Sequence, residues 1–327
     1  MRGVYRPVFY ENKKMKQKKK QDKSAADRIF YITTMFCAFL VLVIMCGFFV
    51  QLFIHSFPAI KKFGFTFLVS GEWDPVRNIY GAASAIYGTA ITTIIAMAIA
   101  VPLSFLIALF LVEMAHPVLS RIIGQAIELL AAIPSIIYGM WGLFVFVPFM
   151  QNYVGPFLAD TLKLKWLPLF QGPCTGFGLL TAGIVLAFMV LPFISAVMRD
   201  VFKMVPPVLK ESAYGCGATT WEVTFDVTMK YGMQGLLGAV FLGLGRAVGE
   251  TMAVLFIIGN TPRISASLFE SGTTISATLA NNFAESSGVF QSVLLELGLV
   301  LLAITFLIQI AAQFWLNMVR RKFGGNI

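Results

Sequence analysis

Apolar residues gather in six long runs, at about 29–54, 84–112, 122–150, 176–198, 233–259 and 291–318, with shorter polar stretches between them. Each run reaches the ~20 residues that a helix needs to cross a hydrocarbon core of ~30 Å. A segment inside lipid must satisfy its own backbone hydrogen bonds, so six transmembrane helices are predicted. An even number of crossings places both termini on one side. Residues 55–80, 151–175 and 260–290 then form the loops of the opposite face, each too short for a sizeable folded domain. They carry turn chemistry, such as Asp74-Pro75 and Gly172-Pro173. Trp73 and Trp166 suit an interfacial depth, and Trp141 suits packing within a span. The longest polar interruption on the side of the termini is 199–232, where Pro206-Pro207 predicts a short amphipathic helix opening near Lys210-Glu211.

Composition supports the membrane reading. Of 327 residues, 58% are apolar and 13% charged, far from the balance of a soluble domain. Disordered, collagenous and disulfide-framework classes need the opposite composition. The net charge of +9 is unevenly placed, with ten Lys/Arg and three acidic residues in positions 1–28. A basic block can mark nucleic-acid binding, but this one directly precedes an apolar run, so it reads as an orientation signal with no nucleic-acid partner. The first run, 29–54, reads as an uncleaved signal anchor. Eighteen Lys/Arg fall on the side of the termini and six on the other, with Arg246 inside a span; without the tail the split is eight to six. Both termini are therefore expected in the cytoplasm of a multi-pass inner (plasma) membrane protein. The tail and Arg320-Arg321-Lys322 carry most of that expectation, and the surrounding lipid bilayer is the expected medium.

Candidate chemistry is sparse. Cys37, Cys46, Cys174 and Cys216 match no zinc or redox spacing, and His55 and His116 both lie at membrane edges, so no metal site is predicted. No Gly is followed by Lys, so the chain holds no phosphate-binding loop for ATP. Arg246 and Glu250 are four residues apart and would share one face of a continuous helix. Such a pair can neutralise itself, or Arg246 can lend positive potential to an anion pathway, its donor fork being suited to phosphate oxygens. Pro134 is expected to kink the third span, leaving the hydroxyls of Ser135 and Tyr138 to serve either the kink or a substrate. Glu128 and Glu296 read as edge carboxylates within reach of water.

Two stretches carry a resemblance. ESAYGCGATTWEVTFDVTMKYG, at 211–232, resembles the coupling-helix motif of ABC importer permeases at Glu211, Ala213 and Gly217. Val227 and Met229 stand in for later apolar positions, Ser212 replaces an Ala, and Lys230 replaces the usual Pro. RAVGETMAVLFIIGN, at 246–260, is similar to the signature of PstC-type phosphate permeases, as is Ile133-Pro134-Ser135-Ile136-Ile137-Tyr138-Gly139. Residues 273–285 follow the same pattern, with Asn282 where that family often has Glu.

The resemblance spans residues 80–318 and implies an all-α integral membrane fold of six helices, the MetI-like type I ABC importer permease. Around that 80–318 domain, with its coupling loop 199–232, lie the tail 1–28, the first helix 29–54 and a basic C-terminus 319–327. It implies that the helix around Glu211, Ala213 and Gly217 docks on a separate ATPase. It further implies a substrate path near Arg246, Glu250, Thr251, Ser135 and Tyr138, with Glu250 orienting Arg246. The implied partners are a PstA-like second permease, a PstB-like ATPase dimer holding ATP and Mg, and an extracytoplasmic phosphate-binding protein. This chain itself is then a permease subunit and not an enzyme, with no cofactor of its own. Other readings stay open at this point: a permease for molybdate or sulfate, a secondary anion transporter or channel, and a subunit that also senses phosphate.

Overall fold

A computed structural model of the chain describes residues 25–158, 168–172 and 174–323. The tail up to residue 24, Lys163, Lys165, Trp166 and Pro173 lie outside the described residues. Among the described residues the fold is helical, with one isolated β-bridge between Asp74 and Ile79.

The chain divides into two units, at Ile54 and His55. Described residues of the first unit belong to helix α1 (Ala25–Phe63). From Ile29 to Ile54 its large apolar side chains are exposed on all sides. A helix apolar all round needs apolar surroundings, as a membrane provides.

The second unit starts within the last turns of α1. It continues through α2 (Ala83–Leu109), α3 (Pro117–Ala131), α4 (Ser135–Val154), α5 (Leu179–Lys203) and α6 (Pro207–Gly215). Then come α7 (Lys230–Val248), the single turn α8 (Met252–Leu255), α9 (Ile275–Asn282) and α10 (Gly288–Phe323). Two wider π-helical stretches matter below: Phe110–Met114 prolongs α2, and Val223–Met229 leads into α7.

Helix α5 is the centre of this unit, and small residues let its neighbours approach. Ala96, Ala100 and Ala108 of α2 are buried in one cluster with Ala182, Val185, Leu186, Val190 and Ile194 of α5. Gly183 meets α2 so closely that an added Cβ would lie 2.6 Å from Ile95. Gly243 does the same for α7, its missing Cβ falling on Ile194. Across the α2–α5 seam the Ser104 hydroxyl donates to the Leu191 carbonyl at 2.9 Å. Lipid is as apolar as these side chains, so close van der Waals packing and buried hydrogen bonds have to hold the helices together. A second cluster gathers Ala59, Phe67, Tyr80, Ala82, Ile275, Val293 and Leu297, with Tyr80 stacked on Phe290 at 5.4 Å.

Several expectations need correction. Among the described residues, four helices are long and apolar enough to cross a membrane, and five if α3 and α4 count as one bent span. The expected sixth, α7, carries Lys230, Gln234, Arg246 and five glycines in its 19 residues, which lowers its apolar character. The third run is not one rod: α3 and α4 meet at 90° across Ala132–Pro134. Pro134 is the cause, because it has no N–H to donate and forces the residue before it out of helical geometry. The fifth run breaks as well, since α7 stops at Val248 and Gly249 adopts φ −85°, ψ −1°. Residues 55–63 are helical, not loop. Glu296 is no edge carboxylate: it is 6% exposed, and its Oε2 has no hydrogen-bond partner. Glu128 does keep an exposed side chain, and it pairs with Arg199 of α5.

Packing at the α2 glycine Gly88 supplies a test. An added Cβ there would fall on the Thr273 carbonyl. A backbone carbonyl cannot swing aside as a flexible side chain does, so Gly88→Ala should destabilise the detergent-solubilised protein by about 1–3 kcal/mol. Its melting temperature, read by tryptophan fluorescence, should drop below that of the parent; an unchanged value would contradict the contact.

Candidate functional site

Arg246 lies in the last turn of α7, where the negative end of the helix dipole offsets part of the cost of its charge. Its guanidinium sits 5.3 Å from the centre of the Phe193 ring on α5, and its Nε is buried without a partner. The expected pairing with Glu250 does not form, because the helix ends between the two. Glu250 instead accepts from the backbone N–H of Ala253 at 3.4 Å, capping α8. Thr251 turns inward too, its hydroxyl donating to the Gly249 carbonyl at 3.4 Å. The i, i+4 argument assumed a continuous helix, and Gly249 interrupts it. Arg246 thus keeps a charge that no carboxylate among the described residues neutralises.

The structure does bring the two signature segments together. Gly139, in the first turn of α4, approaches α8 so closely that a Cβ would lie 2.8 Å from the Met252 carbonyl. Tyr138, the chain neighbour of Gly139, is within electrostatic reach of Arg246, and Ser135 opens the same helix one turn earlier. The Tyr138 hydroxyl donates to the Leu130 carbonyl at 3.0 Å, so it serves the bend at Pro134. Trp141 packs as expected, stacked on Phe146 at 5.6 Å and edge-on to Phe188 at 6.1 Å.

The second unit holds an apolar groove beside Tyr138 and a separate polar recess. A groove of about 940 Å³ runs between α2, α3, α4 and α5. Apolar side chains such as Leu106, Ile127, Trp141 and Phe188 line it, with Tyr138 on one wall and no charged group, so it offers nothing to an anion. A smaller polar recess of about 210 Å³ is bounded by Ser84, Asn260, Thr273, Thr278 and Asn282. Asn282 spends one amide hydrogen on the Thr278 carbonyl at 2.8 Å, closing a turn of α9.

The coupling motif folds as an exposed helix with defined ends. Pro207 occupies the first position of α6, where its missing N–H has no helical partner to lose. Glu211 is exposed, and Val208 and Tyr214 also face outward. Gly217 has φ +86°, a left-handed conformation that costs other residues a clash at Cβ. Its N–H donates to the Tyr214 carbonyl at 2.9 Å, and the Ala218 N–H donates to the Ala213 carbonyl at 3.1 Å. That is a Schellman closure, and its left-handed position gives Gly217 a structural reason to be glycine. A capping box restarts the chain at once: the Thr219 backbone N–H donates to Glu222 at 2.8 Å and Glu222 N–H donates to the Thr219 hydroxyl at 3.3 Å. The bonds its carboxylate accepts from the Thr219 N–H and, at 2.9 Å, from the Thr219 hydroxyl hold the Glu222 carboxyl below its ordinary pKa. Lys230, the departure from the motif, forms an ion pair with Asp226 at 2.6 Å on the same helical face.

Sequence patterns do not reveal one further group. Lys210, beside the motif's Glu211, reaches back to Glu113 at 2.5 Å. The partners are 97 residues apart, so no local periodicity signals them.

The described residues thus combine an exposed helix, α6, with an arginine, Arg246, that has no carboxylate partner within the bundle. Residues 90–324 match the family model of the binding-protein-dependent transport system inner membrane component, and the chain belongs to that family. It is a multi-pass inner membrane permease subunit. A phosphate transport system permease protein PstC of Mesorhizobium japonicum is 52% identical over 91% of this chain and 92% of its own length. The PstC of Haemophilus influenzae is 50% identical over 94% and 99%. Among solved structures, a bacterial alginate ABC transporter in complex with its pentasaccharide-bound periplasmic protein contains a chain that superimposes with a TM-score of 0.59. That chain is 16% identical, covering 93% of this chain and 99% of its own length, and shows the shared fold.

The Gly217 closure is open to a direct test. Gly217→Ala should cost about 1–2 kcal/mol locally. Amide hydrogen exchange at residues 213–218 should speed up, while the α2–α5 core keeps its protection. Unchanged exchange there would contradict the left-handed closure.

Proposed function

We propose that this chain is a membrane-spanning permease subunit that carries inorganic phosphate into the cytoplasm, driven by ATP hydrolysis on a separate ATPase. The observation that carries the reading is the 52% identity to a phosphate permease over nearly the whole of both chains. In this reading both termini are cytoplasmic and α6 faces the ATPase. The working assembly adds a second, PstA-like permease, a PstB-like ATPase dimer and an extracytoplasmic phosphate-binding protein. ATP and Mg belong to the ATPase, and this chain needs no cofactor of its own.

Arg246 is the residue that recruits the anion. Its guanidinium lies inside the bundle without a carboxylate partner, which leaves its field free to act on a passing oxyanion. An arginine fork fits phosphate oxygens, and a single cation binds loosely enough to let the substrate leave. Glu250 and Thr251 shape the break after α7, and Ser135 and Tyr138 shape the facing bend. Backbone of this irregular kind is tolerated at membrane depth where it is buried in protein or lines a cavity. ATP binding moves α6, and the two irregular segments rearrange between inward-open and outward-open states. Phosphate and ATP must bind those states with different affinities for transport to be driven.

In proteoliposomes holding the full complex, Arg246→Gln should cut ATP-dependent phosphate uptake by about 10- to 100-fold, the loss of one charge-assisted contact. The four-component complex should still co-purify. Parental uptake by the variant would remove Arg246 from the path.

A further inference from the structure

Three elements converge on a single oxygen of Glu113. The carboxylate stands in the π-helical stretch that ends α2. Its Oε1 accepts from Lys210 Nζ of α6 at 2.5 Å and from the Thr228 hydroxyl at 3.4 Å. Thr228 is fully buried and belongs to the π-helical stretch that leads into α7. The Glu113 side chain is 8% exposed and that of Lys210 18%, so the pair is largely withdrawn from water. The same stretch is tied to α3, where the Ser120 hydroxyl donates to the Leu111 carbonyl at 2.7 Å.

Buried ion pairs are weak stabilisers, because desolvation offsets most of the attraction. Their attested value lies in fixing which groups meet which. Here the groups that meet are the helix read as the ATPase contact, the end of α2 against α5, and the start of the helix that carries Arg246. From Lys230 to Arg246 that helix rises roughly 24 Å. π-helical turns are irregular hydrogen-bonded segments often found at functional sites, and both Glu113 and Thr228 stand in such turns.

We propose that Glu113 is the positioning residue that couples α6 to the bundle, so that movement of α6 on the ATPase is passed to α2 and α7 together. The inference rests on the reading of the chain as an ATP-driven permease subunit. Lys210 supplies the pull and Thr228 fixes the direction in which Glu113 transmits it. Without the pair, α6 still docks through its exposed face, but it moves without dragging the substrate path. ATP hydrolysis then continues while uptake falls behind.

Phosphate taken up per ATP hydrolysed, measured on the full complex in proteoliposomes with phosphate-loaded binding protein, is the readout. Glu113→Gln leaves Lys210 as an uncompensated charge, so a second variant, Glu113→Gln with Lys210→Met, removes both charges together. In both, the ratio should fall roughly 5-fold or more, the usual scale of coupling between two sites. The exchanged pair, Glu113→Lys with Lys210→Glu, should recover most of it. A parental ratio in the doubly neutral variant overturns the proposal, and so does an exchanged pair no better than Glu113→Gln. Equal losses of uptake and hydrolysis, with the ratio kept, would also overturn it, since they report failed assembly and not lost coupling. Failure of the unmodified complex to take up phosphate with ATP would overturn the permease reading itself.

Discussion

Close approach to α5 is the constraint on which the second unit depends. Helices in lipid gain nothing from exchanging lipid tails for each other's apolar side chains, so their association rests on packing and on buried hydrogen bonds. Along α5 the neighbours come in through Gly183, Gly243 and the alanines of α2. Gly124 of α3 lies against the guanidinium of Arg199, which reaches on to Glu128. The candidate functional groups are placed by the same helix. Phe193 of α5 lies under Arg246, and the bend at Pro134 and the stop at Gly249 are held near each other by helices that pack on it.

The candidate functional groups sit where regular helix fails. Four of the interruptions concern these groups: the bend between α3 and α4, the stop after α7, and the π-helical stretches at Phe110–Met114 and Val223–Met229. The first two meet at Gly139 and Met252 beside Arg246, and the other two meet at Glu113. Helix α7 runs between these pairs, with Thr228 just before its first turn and Arg246 in its last. In the proposed coupling, a displacement at one end of this helix is passed to the other, which would connect the exposed α6 with Arg246 by covalent and hydrogen-bonded steps.

Much of this was legible in the residues. Long apolar runs mark the helices, Pro134 marks the bend, and the coupling motif contains Gly217; Pro206-Pro207 predicts a helix opening near Lys210-Glu211, and α6 opens earlier, at Pro207. What stayed hidden has physical causes. Gly249-Glu250-Thr251 is compatible with an apolar helical period, so the stop after Val248, and with it the separation of Arg246 from Glu250, does not show in hydropathy. Lys210 counted as one more cytoplasmic cation, and Arg199 as another, although each is claimed by a carboxylate far away in the chain. The burial of Glu296 does not show in its sequence position, because a place near the end of an apolar run says nothing about which neighbours cover it. Contacts between distant segments follow from tertiary packing, and local periodicity does not encode them.

The substrate is the central claim, and ATP hydrolysis by the complete reconstituted complex reads it most directly. Binding protein would be presented with phosphate, sulfate or molybdate in turn, and hydrolysis compared with the anion-free rate. A phosphate permease predicts stimulation by phosphate, with matching uptake, and no stimulation by the other two oxyanions. Stimulation by sulfate or molybdate with phosphate inert would contradict it.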